Sequence, residues 1–432
     1  MSLTPTRQVA EPAEPPAHHG RTQALDRLRS RVAPIALSLR WPVLVFLASR
    51  VLLLTMVWIE SLVRHQGILA ALSDWDGRWY ALLALHGYPT HPSHLPTTLG
   101  FFPLYSVVIR IVAGRLTFLG MPFIYDIFAA GVIVSTVGGA VATVLVQRLA
   151  TGWWGEQAGR RAAVLFCLFP GSVVFSMLYA ESLLIPLAAG CILALQQRRW
   201  VLAGSLAGLA TATATQGLVL IPVCATSAFI QFRRDRAHAR ASLWAPALSV
   251  TGIAAFGLFL WVWTGTPFAY LIAQHHAWHE QTDPLALVGW VKLALGDVPG
   301  HVAIRYPFKP VAYLIGAVVL AVLLAISVRR RRSMSIEALI WAFGIGFLVY
   351  TTEKVGPSPR ALITAFPALI VAVTCVRRRG FVYLSCICAV LLLAASWATL
   401  MVRPHLPGRV ALVVSRQAPI PQAPLTREIL PP

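Results

Sequence analysis

Long apolar runs alternate with short clusters of arginine throughout this sequence, beginning with Trp41–Val63 and the arginines before it, Arg21, Arg27, Arg29, Arg31 and Arg40. A helix needs about twenty apolar residues to cross a bilayer, and in hydrocarbon only helices and closed barrels satisfy their own backbones. Composition agrees, with 57% hydrophobic residues, 12% charged residues and a mean hydropathy of +0.70. The expected fold class is therefore all-α, a polytopic membrane protein whose first partner is the lipid bilayer. The 36 basic residues, all arginine except Lys292, Lys309 and Lys354, stand against 16 acidic ones and give a net charge of +20. In a soluble chain that would suggest nucleic acid. Here the charges lie between apolar runs and read as orientation signals, so no nucleic-acid partner is expected.

Charge placement sets the topology. Residues 1–40 are basic and lack an apolar run, which predicts a disordered cytoplasmic tail. Trp41–Val63 carries no cleavage pattern after it and is expected to act as a signal anchor. Cytoplasmic turns are expected at Arg148, Arg160–Arg161, Arg198–Arg199, Arg233–Arg236, Arg329–Arg332 and Arg377–Arg379. About eleven crossings follow, within a membrane domain over 41–402 that has outer loops at 64–126 and 264–310. A Pro-rich outer tail covers 403–432. Phe101–Leu119, interrupted by Arg110 and Arg115, is expected to lie in the outer leaflet. Trp200–Phe232 is short for two spans and predicts a hairpin of shortened helices broken around Thr211–Gly217. Ala361–Val376 is expected as one span. The six cysteines lie in apolar segments without ligand spacing and are expected to be core residues.

On this topology the acids gather outside: Asp74, Asp76, Glu181, Glu280, Asp283, Asp297 and Glu353. The densest polar stretch is Ser73-Asp74-Trp75-Asp76-Gly77-Arg78-Trp79-Tyr80, a short helix with Ser73 or Asp74 as N-cap and Gly87-Tyr88-Pro89 as its stop. Asp76 has Trp79 and Tyr80 as its i+3 and i+4 neighbours, which suits a general base for a sugar or lipid hydroxyl. It equally suits an acidic first turn beside interfacial aromatics. Glu181, after Tyr179 at an outer helix end, reads as functional or as a turn acid. Lys354 and Arg360 flank a Gly-Pro-Ser-Pro turn and would either clamp a phosphate or snorkel to headgroups. His275, His276 and His279 have helical ligand spacing, but no further ligand accompanies them, and no metal is expected.

Taken in order, Trp75-Asp76-Gly77-Arg78-Trp79-Tyr80, Gly87-Tyr88, Phe101-Phe102-Pro103-Leu104-Tyr105, Tyr179-Ala180-Glu181-Ser182 and Ser358-Pro359-Arg360 with Phe366-Pro367 resemble the signature of PIG-V-type mannosyltransferases. These are multi-span enzymes of the GT-C superfamily. The resemblance runs from about residue 40 to 400. It implies a GT-C-like fold and a bacterial plasma-membrane enzyme, N-terminus cytoplasmic and active site outside. It further implies inverting mannosyl transfer from a polyprenyl-phosphate-mannose donor to a glycolipid or glycan hydroxyl, without a cofactor. Asp76 would be catalytic. Asp74, Arg78, Tyr80, Tyr88, Phe102, Tyr105, Tyr179, Glu181, Gln216, Lys354 and Arg360 would bind substrate. One departure stands out: family members commonly carry an arginine where Ala214 aligns. Two other readings compete, a lipid-carrier flippase or transporter and an inactive GT-C-like partner subunit. A transporter should show inverted repeats and mid-span charges; no repeat is evident and mid-span charges are few.

Overall fold

The computed structural model describes residues 19–65, 67–114, 126–236, 239–280, 282–295, 309–352 and 356–401. The chain divides into two units, Met1–Trp41 and Pro42–Pro432. All the candidate site residues belong to the second.

Among the described residues the regular structure is helical, apart from one isolated antiparallel bridge between Thr282 and Thr352. The chain opens with α1 (His19–Arg64), α2 (Ile68–Leu72) and α3 (Asp76–His86). There follow α4 (Pro103–Val112), α5 (Ile127–Trp154), α6 (Glu156–Leu168) and α7 (Glu181–Gln196). The expected hairpin is α8 (Trp200–Thr211) and α9 (Leu220–Arg234), with the 3-10 turn Thr215–Val219 at the break. The chain then forms α10 (Trp244–Ser249), α11 (Thr251–Thr264), α12 (Ala269–Ile272) and α13 (Ala286–Ala294). It closes with α14 (Lys309–Arg329), α15 (Ile336–Thr351), α16 (Pro359–Thr364), α17 (Phe366–Ile370) and α18 (Arg378–Met401).

Among the described residues six helical segments are long and apolar enough to cross a membrane: Leu39–Val63, Ile127–Trp154, Thr215–Arg234, Ala239–Thr264, Val311–Arg329 and Arg378–Ala398. Shorter apolar helices are Pro103–Val112, Glu181–Gln196, Trp200–Thr211 and Ile336–Thr351. Large apolar side chains point outward from them, among them Val51, Val137, Val262, Val318 and Val390. Such a surface is stable only when lipid covers it. The protein is a multi-pass membrane protein.

Because lipid tails are as apolar as the core, these helices associate through close packing and buried polar contacts rather than through exclusion of water. α5 is the hub. It packs on α6 and α7, and Gly138 lets it approach the Ser182 backbone at the start of α7. Around it Phe46, Phe166, Phe175, Trp341 and Phe366 are fully buried in one cluster.

Two expectations need correction. Residues 361–376 do not form one span; they are α16, α17 and the 3-10 turn Val371–Thr374. Pro367 sits in the first turn of α17, and the Trp341 indole donates to the carbonyl of Thr364 across the break, 2.9 Å away. Since Ile363, Ala365, Phe366 and Ala368 are fully buried, the irregular backbone meets protein and not lipid. Of the cysteines, Cys167, Cys191, Cys224 and Cys388 are buried as expected, but Cys375 and Cys386 are exposed.

Candidate active site

Three segments far apart in sequence converge at the site. α3 brings Asp76, the turn into α7 brings Tyr179 and Glu181, and α16 brings Arg360.

The start of α3 is unusual. Its N-cap is Trp75, not Ser73 or Asp74, and Trp75 holds φ +62° and ψ −127°, a region that side chains rarely occupy. Asp74 is drawn away from capping by Arg78, whose Nε donates to its Oδ1 at 2.9 Å. The i,i+4 spacing puts both on one face once the helix starts. That pair leaves Asp76, the first helical residue, to turn elsewhere. Gly77 allows the helix end to lie against Leu178, where an added Cβ would come within 3.1 Å of the leucine Cβ. Gly87, at φ +75°, ends the helix as expected.

α16 is placed by its cap and by a close approach. Ser358 accepts from the Ala361 amide at 3.4 Å, and Pro359 supplies a fixed φ at the first turn. The Pro359 carbonyl rests on Gly171, where any side chain would collide. Arg360 is thereby delivered to both carboxylates. Its NH1 group donates to Asp76 Oδ2, and its Nε pairs with Glu181 Oε1 at 3.2 Å. The Tyr179 ring covers the guanidinium at 5.0 Å from its centroid, a cation–π contact.

Exposure grades across this triad. The side chains of Glu181, Arg360 and Asp76 are 9%, 26% and 34% exposed, so Asp76 is the member that meets the outside. Burial works against the charge of Arg360, but Asp76, Glu181 and Tyr179 more than offset it and hold its pKa well above the ordinary arginine range. Burial pushes the Glu181 carboxyl above its usual 4.5, against the pull of Arg360 and with a further push from Asp76. Burial, then the charges of Glu181 and Asp76, raises the Tyr80 phenol well above its usual value of 10.0, so Tyr80 borders the triad as a neutral hydroxyl.

Other expected site residues fall around this centre or apart from it. Tyr80 packs edge-on against Phe101 and Tyr105, each at 5.0 Å between ring centroids. The Tyr105 hydroxyl meets that of Ser135 at 2.6 Å, and Ser135 accepts from Ser182, next to Glu181, at 3.2 Å. Tyr105 therefore braces the Glu181 turn. Tyr88 donates to the Phe101 carbonyl at 2.8 Å and packs on Phe256. Phe102 joins the same aromatic group through Phe256 and Tyr270. Gln216 is half-buried on the 3-10 turn, beside Thr215, whose hydroxyl meets that of Tyr270 at 2.8 Å. Ala214 caps that turn in an extended conformation and packs against the core. Lys354, expected to share the phosphate with Arg360, lies outside the described residues.

The histidine group does not have the helical spacing expected of it. His275 and His276 stand on a π-turn, Ala273–Ala277, and His279 follows at φ +50°. Among the described residues no group of three or more His, Cys, Asp and Glu is placed to hold a metal.

Two positions escaped the sequence reading. Arg50, 4% exposed in the middle of the Leu39–Val63 span, donates to the carbonyls of Ser172 at 2.7 Å and Cys167 at 3.3 Å. It also donates to the hydroxyls of Ser172 at 3.0 Å and Ser176 at 3.1 Å. It thus anchors the turn that carries Gly171. Trp278 packs edge-on against Trp79 at 5.0 Å and Phe101 at 5.4 Å, tying the segment after α12 to α3. A cation inside an apolar run is a signal for the first; the second has none in the local pattern.

Known proteins give the following likenesses. Residues 30–272, more than half of the 432, match the model of the family described as Mannosyltransferase (PIG-V). The match includes Asp76, Tyr179 and Glu181 and ends before Arg360. Over 131 residues the chain is 31% identical to GPI mannosyltransferase 2 of Drosophila pseudoobscura pseudoobscura, covering 29% of this chain and 27% of that protein. The aligned part is thus about a quarter of that relative's length. Among solved structures, the Archaeoglobus fulgidus oligosaccharyltransferase covers 81% of this chain and 56% of its own, at 14% identity and a TM-score of 0.41. ArnT from Cupriavidus metallidurans, solved with undecaprenyl phosphate, covers 78% of this chain and 61% of its own, at 13% identity and a TM-score of 0.46. The family match does not depend on these likenesses, and since it carries more than half of the sequence, the chain belongs to the PIG-V mannosyltransferase family.

Proposed function

We propose that this protein transfers mannose, with inversion, from polyprenyl-phosphate-mannose to a hydroxyl of a glycolipid or glycan on the outer face of a bacterial plasma membrane. The observation that carries the reading is the convergence of Asp76, Glu181 and Arg360 on one another from three distant segments of a family member. It gives one accessible carboxylate beside one fixed guanidinium, the minimum for displacing a phosphate by a hydroxyl.

In this mechanism the acceptor oxygen attacks the anomeric carbon and gives its proton to Asp76. The bond from that carbon to the phosphate oxygen breaks, and its electron pair leaves on the polyprenyl phosphate. The donor phosphodiester carries one negative charge and the departing monoester two, so a cation at the phosphate is worth more in the transition state than before it. Arg360 would supply that cation. A phosphate leaving group needs no general acid, so the reaction asks for no resident metal. The aromatic group of Tyr88, Phe102, Phe256 and Tyr270 suits an apolar prenyl chain.

The test is transfer of labelled mannose from polyprenyl-phosphate-mannose to membrane lipid extract, comparing the wild type with Asp76→Asn. Loss in a variant that still purifies as a single folded species supports the assignment. Full activity in that variant moves the base to Asp74 or Glu181, and no transfer by the wild type from any lipid-linked sugar refutes the reading.

A further inference from the structure

The guanidinium of Arg360 has two edges, and the site uses them differently. Nε is directed inward to Glu181, whose side chain is 9% exposed, while NH1 faces Asp76 at the 34%-exposed rim. The Tyr179 ring covers one face of the plane. The backbone that carries Arg360 is fixed by the Ser358 cap and by the Pro359 contact with Gly171. The guanidinium is therefore held on its inner edge and on one face, and its outer edge is occupied by the residue that the mechanism needs free. An arginine fork accepts a phosphate as readily as a carboxylate, because both offer paired oxygens at matching spacing.

We propose that Arg360 changes partners during turnover: Glu181 keeps Nε throughout, and the outer edge passes from Asp76 to the donor phosphate. Donor binding then releases the Asp76 carboxylate to the acceptor hydroxyl, and the donor must bind before the acceptor can lose its proton. Glu181 is a positioning residue, acting through Arg360. This rests on the donor class proposed above.

The experiment titrates undecaprenyl phosphate into the full-length protein in nanodiscs, wild type against Asp76→Asn, with mannose transfer measured in parallel. If Asp76 competes for the guanidinium, its neutralisation tightens binding, by about five-fold for a pair at the rim of a site. Glu181→Ala should lower kcat by about ten- to a hundred-fold while the donor KM stays within about three-fold, as expected for a lost orientation. Glu181→Gln, which keeps an oxygen to accept from Nε, should recover most of that loss. Equal or weaker binding by Asp76→Asn, in a protein whose wild type transfers mannose, overturns the exchange. A Glu181→Ala defect confined to KM, or one that Glu181→Gln does not repair, overturns the positioning role. Absence of both binding and transfer in the wild type overturns instead the donor reading beneath it.

Discussion

Replacing Gly171 by alanine should disable the site from a residue that touches neither carboxylate. A Cβ at this position would press on the Pro359 carbonyl oxygen, and would lie 2.7 Å from its carbon and 3.1 Å from Ile363 Cβ. Ordinary contact begins near 3.4 Å, so clearing the carbonyl carbon alone asks α16 or the Pro170–Phe175 turn to move by about 0.7 Å, and the nearer carbonyl oxygen asks for more. The neighbour is backbone, with no flexible side-chain end to give way. Overpacking of that kind costs about 1–3 kcal/mol. The larger effect should be on activity, because Arg360 is the second residue of α16 and moves with Pro359. Displacements near 1 Å in a reacting assembly cost up to about 10²-fold, so a loss of roughly 10- to 100-fold in kcat/KM is expected. The assay is mannose transfer by nanodisc-embedded protein of verified monodispersity. Gly190→Ala is the control: its nearest neighbour is the Leu206 Cδ1 methyl at 3.2 Å, a movable side-chain end, and activity should stay within about two-fold. Wild-type activity in Gly171→Ala, or equal damage in both variants, would refute the reasoning.

Asp76→Asn should lower transfer by about 10²–10⁴-fold, the usual worth of a general base, with thermal inactivation close to wild type. Arg50→Leu should take the guanidinium donor from the Ser172 carbonyl and the Ser176 hydroxyl, while the Cys167 carbonyl keeps the Ser172 hydroxyl, and should cost about 1–3 kcal/mol per stranded group, measured as earlier thermal inactivation. For pH, the folded state raises the Glu181 carboxyl above 4.5 and so holds a proton that the unfolded chain would release. Its contribution to stability is complete below pH 4.5 and is lost as pH rises through the raised folded value. Glu181→Gln, having no such proton, should gain in melting temperature relative to wild type as pH increases above 4.5; a difference constant with pH would contradict this.

Much of the architecture was readable because lipid imposes one rule on every span. Apolar length located the first span, expected at Trp41–Val63 and found at Leu39–Val63, and Gly87 marked the end of α3. The break at Thr211–Gly217 was legible as missing length. The break in 361–376 was not, though Pro367 advertised it, because the surrounding residues are apolar enough to insert and only their burial in protein makes the interruption affordable. At the site, pattern placed Asp76, Glu181 and Arg360 on one side of the membrane, but a separation of 284 residues between Asp76 and Arg360 leaves no periodic trace of their contact. From sequence Arg360 consequently reads as a phosphate clamp or a snorkelling cation, and not as the partner of two carboxylates. The Asp74–Arg78 pair does carry a local signal, its i,i+4 spacing. Arg50 was absorbed into an otherwise apolar run, and it answers the shortage of mid-span charge with a structural rather than a transport role.

The broken segment that carries Arg360 also sets a timetable for biogenesis. A ribosome delivers Asp76 and Glu181 long before Arg360, so the nascent chain holds two acids with no guanidinium between them. α17 packs on α6, α14 and α15, and cannot dock until all three are in place. A polypeptide halted just after α15 would contain most of its long helices and still lack Arg360. The ion pairs of Asp76 and Glu181 with Arg360 therefore form only after α16 has been synthesised, when most of the bundle already exists.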